Sequence, residues 1–226
     1  MIKKTVLLFC LILFSFTQLC QAGQDDLVSG DIITGYRVLA VNPKEMNINL
    51  TVYRGDYIKF SYPEQLGDLS FTVPELKYKD TVGWNPEKSP FFKMKNTGKY
   101  AFTLGNTSAT ITVIELSRPN YSAVTADEAA KIIENLQPFI LDVRTPQEYQ
   151  QIHIKGTTLI PIQQLQARIA ELESKKHEDV FIYCATGNRS TVAARILANR
   201  GFKRIYNLRY GVHDWARKGY PYTTGK

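Results

Sequence analysis

The hydrophobic period of this 226-residue chain changes once, near Ser117, and that change assigns different folds to its two halves. From about Ile32 to Leu116 apolar residues recur at every second position. Ile48, Leu50 and Val52 form one such set; Ile58, Phe60 and Tyr62, then Tyr100, Phe102 and Leu104, then Ala109, Ile111 and Val113 form others. Side chains along a strand point to alternate faces, so period two marks half-buried strands. Turn chemistry lies between them at Asn42-Pro43, Arg54-Gly55-Asp56, Asn96-Thr97-Gly98 and Gly105-Asn106. Short alternating strands with frequent turns predict an antiparallel β-sandwich over residues 23–116. Arg54-Gly55-Asp56 also spells an adhesion tripeptide, but Gly-Asp at a hairpin turn is the simpler reason for it.

Residues 117–122, with Pro119, read as a linker. Beyond them strands and helices alternate. Thr125-Ala126-Asp127-Glu128 is a capping box that opens a helix to about Leu136, and Thr145-Pro146-Gln147-Glu148 repeats the pattern with proline at the first helical position. Strands are predicted at Phe139 to Val143, Thr158 to Pro161, Val180 to Tyr183 and Arg204 to Leu208. Helices fall at Gln163 to Ser174, Ser190 to Arg200 and Val212 to Lys218. Such alternation over residues 123–226 means an α/β domain with a mainly parallel sheet.

Residues 1–22 are excluded from the fold. Lys3 and Lys4, the apolar stretch Val6 to Phe14 and the end Cys20-Gln21-Ala22 have the layout of a cleavable signal peptide, too short to span a bilayer. Cleavage after Ala22 predicts an exported, periplasmic protein and removes Cys10 and Cys20. Cys184 is then the single thiol, so no intramolecular disulfide forms. Lysine plus arginine and aspartate plus glutamate balance at 11 each from Gly23 to Pro119, but stand at 15 and 10 from Asn120 onward. The half that holds the thiol is therefore the one that attracts anions. No basic run interleaved with aromatics suggests nucleic acid.

The thiol has a telling context. Val180-Phe181-Ile182-Tyr183 runs into Cys184-Ala185-Thr186-Gly187-Asn188-Arg189-Ser190, a strand feeding a small Gly-containing loop and then a helix. Loop amides and the positive end of the helix converge on such a position and favour an anion there. A cysteine of ordinary pKa is only about 3% thiolate at pH 7, so an amide cradle decides whether a thiol is nucleophilic or inert. The nucleophilic reading requires a sulfur that is exposed as well as electrostatically poised; a buried structural cysteine is the plain alternative.

Asp142-Val143-Arg144, Glu148-Tyr149, His153-Ile154-Lys155-Gly156, the Tyr183-Cys184 loop and Tyr210-Gly211…Trp215…Gly219-Tyr220-Pro221 stand in the order and spacing of a rhodanese domain. The resemblance covers roughly Ser122 to Thr223 and implies a sulfurtransferase that needs no cofactor. It makes Cys184 the nucleophile and persulfide carrier. The backbone of Ala185, Thr186, Gly187, Asn188 and Arg189 would surround the outer sulfur. Arg144 would charge the cleft wall or pair with Asp142, and Asp142 and Ser190 would give structural support. Related phosphatases place one residue more between cysteine and arginine; the four residues between Cys184 and Arg189 suit sulfur instead. The N-terminal half resembles a cupredoxin-type sandwich. It lacks the means to bind type-1 copper, because no His or Cys lies between Gly23 and Ile152 and Met46 and Met94 cannot hold the metal alone.

Two positions depart from the rhodanese pattern. Many thiosulfate-using members place a basic residue directly after the cysteine, whereas Ala185 and Thr186 are uncharged. Losing a charged donor there weakens anion binding by about 1.5–3 kcal/mol, which favours a polysulfide or protein persulfide over thiosulfate. Ile152 replaces the usual glycine before His153 and is expected to alter a turn. The expected partners are a small anionic sulfur donor and a thiol or cyanide acceptor. The sandwich is left to present substrate, dock a periplasmic partner or act as a spacer. A non-catalytic binding or sulfur-sensing module is the rival reading.

Overall fold

The computed structural model describes residues 28–225 except 43 and 46; the predicted leader with Cys10 and Cys20, and Met46, lie outside the described residues. Among the described residues of the N-terminal half, nine strands form two sheets. They are β1 (Asp31–Ile33), β2 (Tyr36–Ala40), β3 (Ile48–Tyr53), β4 (Tyr57–Ser61), β5 (Leu69–Val73), β6 (Tyr78–Val82), β7 (Phe92–Lys93), β8 (Gly98–Leu104) and β9 (Thr107–Ile114). The sheet orders are β1-β2-β4-β7 and β3-β9-β8-β5-β6. Both contribute to one core, in which the rings of Phe60, Phe71 and Phe102 lie 4.9 to 5.9 Å apart.

The expected antiparallel arrangement is corrected in one respect: both sheets are mixed. β2 pairs with β4 and β3 with β9 in parallel. Between β2 and β4 the chain crosses to the other sheet as β3 and returns, so it re-enters the first sheet in its original direction. Period two is the same in parallel and antiparallel strands, so the alternation could not reveal this.

The C-terminal half is built on five strands, β10 (Tyr121–Val124), β11 (Phe139–Asp142), β12 (Thr158–Leu159), β13 (Asp179–Tyr183) and β14 (Arg204–Leu208). Their order is β10-β14-β13-β11-β12, and every pairing is parallel. Helices α1 (Ala126–Leu136), α2 (Pro146–Gln151), α3 (Ile162–Leu165) and α4 (Asn188–Asn199) connect them, and α5 (Gly211–Arg217) follows β14. Both capping boxes form: the hydroxyls of Thr125 and Thr145 accept from the amides of Glu128 and Glu148, whose carboxylates accept in return. The single helix predicted at Gln163 to Ser174 is instead α3 followed by a 3-10 segment, Ile169–Lys175. Tyr121 and Ser122, read as linker, are the first residues of β10. This edge strand is short and only its last residue is buried, so only its parallel partner β14 marks it.

The halves share buried surface. Tyr53 and Leu116 lie in the same apolar core as Leu141, Val143, Ile182 and Val192. Gln166 donates to the Ile32 carbonyl at 2.9 Å, and the Arg195 guanidinium sits 5.3 Å from the centre of the Tyr53 ring. The Arg54-Gly55-Asp56 turn is buried, with Asp56 hydrogen-bonded by Arg37 and by the Tyr53 amide, so it is not available as an adhesion motif. No helix among the described residues is long and apolar enough to cross a membrane.

Candidate active site

The central strand β13 has parallel neighbours on both sides and ends at Tyr183, so Cys184 starts a loop at the carboxyl edge of the sheet. This is where open α/β sheets place their sites. Two glycines make the loop possible. Gly187 has φ +88°, and a β-carbon on it would stand 1.8 Å from the Arg209 carbonyl oxygen. Gly211 has φ +71°, and its β-carbon would stand 2.3 Å from the Ala185 carbonyl oxygen. The start of α5 then holds the loop from below: the Val212 amide donates to the Cys184 carbonyl at 2.9 Å, and that of His213 to Ala185 at 3.3 Å.

The Gly187 amide donates to Cys184 Sγ at 3.1 Å. Ser190 Oγ lies 3.6 Å from the sulfur and 3.0 Å from the Gly187 carbonyl, so its one proton serves either. Thr191 is the first residue here whose amide reaches back to a backbone acceptor, Gly187 at 3.2 Å. The first amides of a helix have no acceptor within it, and the helix dipole there also favours negative charge. The poised sulfur expected at a free opening is not observed, because Cys184 is only 1% exposed. It belongs to the core that takes in Tyr53 and Leu116 from the other half, a burial that local sequence does not encode. The rim is more open: Thr186 is exposed, Ala185 and Arg189 are partly so, and Asn188 and Ser190 are buried.

Arg189 is engaged rather than free. Its Nη1 and Nη2 donate to the two Glu148 oxygens at 2.8 and 2.5 Å, while Glu148 also caps α2. Glu148 stands in the sequence motif, but its pairing with Arg189 was not foreseen; the juxtaposition spans 41 residues. The Arg189 hydrogen bonds hold the Glu148 carboxyl down to about 2, from an ordinary value near 4.5. Because the folded-state value is the lower one, the pair stabilises the protein fully above about pH 4.5 and ceases to do so as pH falls through about 2. The gap in urea midpoint between the wild type and Glu148→Gln should therefore be widest at neutral pH and close across that acid window. A gap independent of pH would contradict the assignment.

Arg144 and Asp142 form a buried pair, 1% and 0% exposed. Arg144 Nε lies 2.9 and 3.0 Å from the two carboxylate oxygens, and Nη2 donates to Asp142 at 2.6 Å and to the Ile152 carbonyl at 2.6 Å. These donors brace the end of β11 rather than facing an anion, and the backbone at Ile152 ends α2 in extended conformation. His153 is structural: it stacks on Tyr149 at 3.8 Å and pairs through its backbone with Thr223.

The rhodanese-like domain family matches residues 125–218 of the chain. A sulfurtransferase of Allochromatium vinosum is 39% identical over 82 residues, covering 36% of this chain and 75% of that protein. The chain belongs to the rhodanese family. Thiosulfate sulfurtransferase PspE of Escherichia coli is 37% identical over 67 residues, 30% of this chain and 64% of its own. A Bacillus subtilis protein whose name records a proposed sulfur-carrier role is 39% identical over 79 residues, 35% of this chain and 42% of that one. The chain thus spans less than half of that relative. Among solved structures, a rhodanese-like domain from Anabaena aligns at 27% identity and a TM-score of 0.42, over 45% of this chain and 78% of that one. The family match falls on the half that carries Cys184, Arg189, Arg144 and Asp142.

Proposed function

We propose that this rhodanese is an exported, periplasmic sulfurtransferase that moves sulfane sulfur from an anionic donor, thiosulfate or a polysulfide, to a thiol or cyanide. The observation that carries this reading is the Gly187 amide aimed at Cys184 Sγ from 3.1 Å, at the start of a helix. The Cys184 thiolate attacks the sulfane sulfur. A sulfur–sulfur bond forms, the donor's own sulfur–sulfur bond breaks, and sulfite leaves with the electron pair when thiosulfate is the donor. The persulfide extends about 2 Å beyond Sγ, toward the open amides of the loop. An acceptor such as cyanide then attacks the outer sulfur and returns the electron pair to Cys184. Preorganised amides stabilise the anion at each stage without reorganisation.

Export rests on the N-terminal layout of basic, apolar and small residues. The N-terminal half, without His or Cys up to Ile152, serves as a cupredoxin-like platform without copper.

Steady-state formation of thiocyanate from thiosulfate or polysulfide and cyanide tests the reaction. Turnover is expected in the wild type and a loss of at least roughly a thousandfold in Cys184→Ser, since the nucleophile itself is removed. Undiminished turnover in that variant would defeat the reading. A second reading, a passive persulfide relay without turnover, draws support from the 1% exposure of Cys184. It predicts a persulfide that forms but is not discharged to small acceptors.

A further inference from the structure

The rhodanese loop carries no charge next to its cysteine, and the guanidinium of Arg189 is already matched to Glu148. The structure brings another cation to the same place from the other domain. Ile58 and Phe92 are buried in the N-terminal core, and side chains alternate along a strand. Their neighbours Tyr57 and Lys93 therefore point out of that core. They are register partners across β4 and β7, so they project side by side from one end of the ladder.

That end sits on the sulfur loop. The Arg54-Gly55 turn just before Tyr57 meets the first residue of α4: Arg54 Nη1 lies 3.4 Å from Asn188 Oδ1. Gly55 is so close that a β-carbon on it would stand 2.7 Å from the Asn188 carbonyl oxygen. The turn is fixed from within by the buried Arg37–Asp56 pair. Phe91 holds the Tyr57 ring edge-on at 5.0 Å, and the Lys93 ammonium lies 5.1 Å from the centre of that ring.

Electrostatics agrees with the geometry. Burial pushes the Tyr57 phenol up to about 12, with the charges of Arg189, Cys184 and Glu148 also acting on it. Burial lowers Lys93, while the sulfur of Cys184 pulls it the other way and Arg189 and Lys95 add repulsion.

We propose that Lys93 is the donor-recognition residue of the sulfur site: the N-terminal domain supplies, across the seam, the positive charge that Ala185 and Thr186 leave out of the loop. Tyr57 and Lys93 together form the outer wall past which an anionic sulfur donor reaches Cys184. The choice of donor follows from the sulfur-transfer reading above. The placement of a cation at the thiol does not depend on it. The N-terminal domain thereby becomes part of the active site rather than a spacer.

The test compares alkylation of Cys184 in the mature full-length protein by iodoacetate, which is anionic, and iodoacetamide, which is neutral. The two reagents are similar in size, so the ratio of their rates reports charge at the thiol. Lys93→Met is expected to lower that ratio roughly fivefold, and Lys93→Arg to restore it, because one unit charge near the reacting atom is removed and replaced. Raising the salt concentration should shrink the wild-type preference. With thiosulfate or a polysulfide as donor, Lys93→Met should raise KM with little change in kcat. The proposal is overturned if Lys93→Met leaves the ratio unchanged, if both rates fall equally, or if neither reagent reaches Cys184 in the folded wild type. A protein that shows the expected charge preference but never loads sulfur would instead defeat the sulfurtransferase reading and leave Lys93 in its assigned place.

Discussion

Gly187→Ala is expected to cost about 2–5 kcal/mol of stability, because a left-handed backbone is strained for alanine and the added methyl meets backbone. The conformation is φ +88°, and the methyl would stand 1.8 Å from the Arg209 carbonyl oxygen. Either the loop or the β14–α5 turn has to shift, and the Gly187 amide then no longer addresses Cys184 Sγ. Losing a hydrogen bond to a charged group costs about 1.5–3 kcal/mol, so sulfur loading should slow roughly 10- to 100-fold as well. Gly201→Ala is the matched control: the same φ of +88°, with nothing within 4 Å of the added carbon. It should cost only the conformational part, about 1–2 kcal/mol, and leave loading intact. Urea midpoints and loading rates for the two variants check both halves of this expectation. Equal effects would mean that the close approach to Arg209 does not shape the loop.

The second large effect is expected at Arg144. Replacing it with methionine leaves Asp142, which is fully buried, without its counter-charge and leaves the Ile152 carbonyl without its donor. Breaking a buried pair from one side typically costs about 3–5 kcal/mol, because the remaining charge stays desolvated. Removing both charges in Asp142→Leu/Arg144→Met should recover much of that loss. Urea midpoints of the single and double variants measure this directly. An anion-binding Arg144 would behave differently: stability would be nearly unchanged and KM for the donor would rise.

Local features were legible in the sequence, and long-range ones were not. The two capping boxes, the strand into Cys184 and the helix after Gly187 are each set by residues within a few positions, so pattern alone located them. The parallel pairing of β3 with β9 joins residues about sixty positions apart, and strand period does not encode the partner or its direction. β10 carries no strand period in its sequence, because only Val124 of its four residues is buried. At the site, Cys184, Gly187 and Ser190 come together as their spacing implied, whereas Arg144 is turned to Asp142 and Arg189 to Glu148. Tyr57 and Lys93 could not be found from the sequence, since they reach the loop only through the docking of one domain on the other. The fold also encloses a thiol that local pattern placed in the open.

Intact mass spectrometry of the mature protein after incubation with thiosulfate or polysulfide asks most directly whether the enclosed thiol carries sulfur. One added sulfur atom is expected, released by cyanide and absent from Cys184→Ser. A wild-type mass that stays unchanged with every donor, or a gain that persists in that variant, would contradict the assignment of sulfur chemistry to this loop.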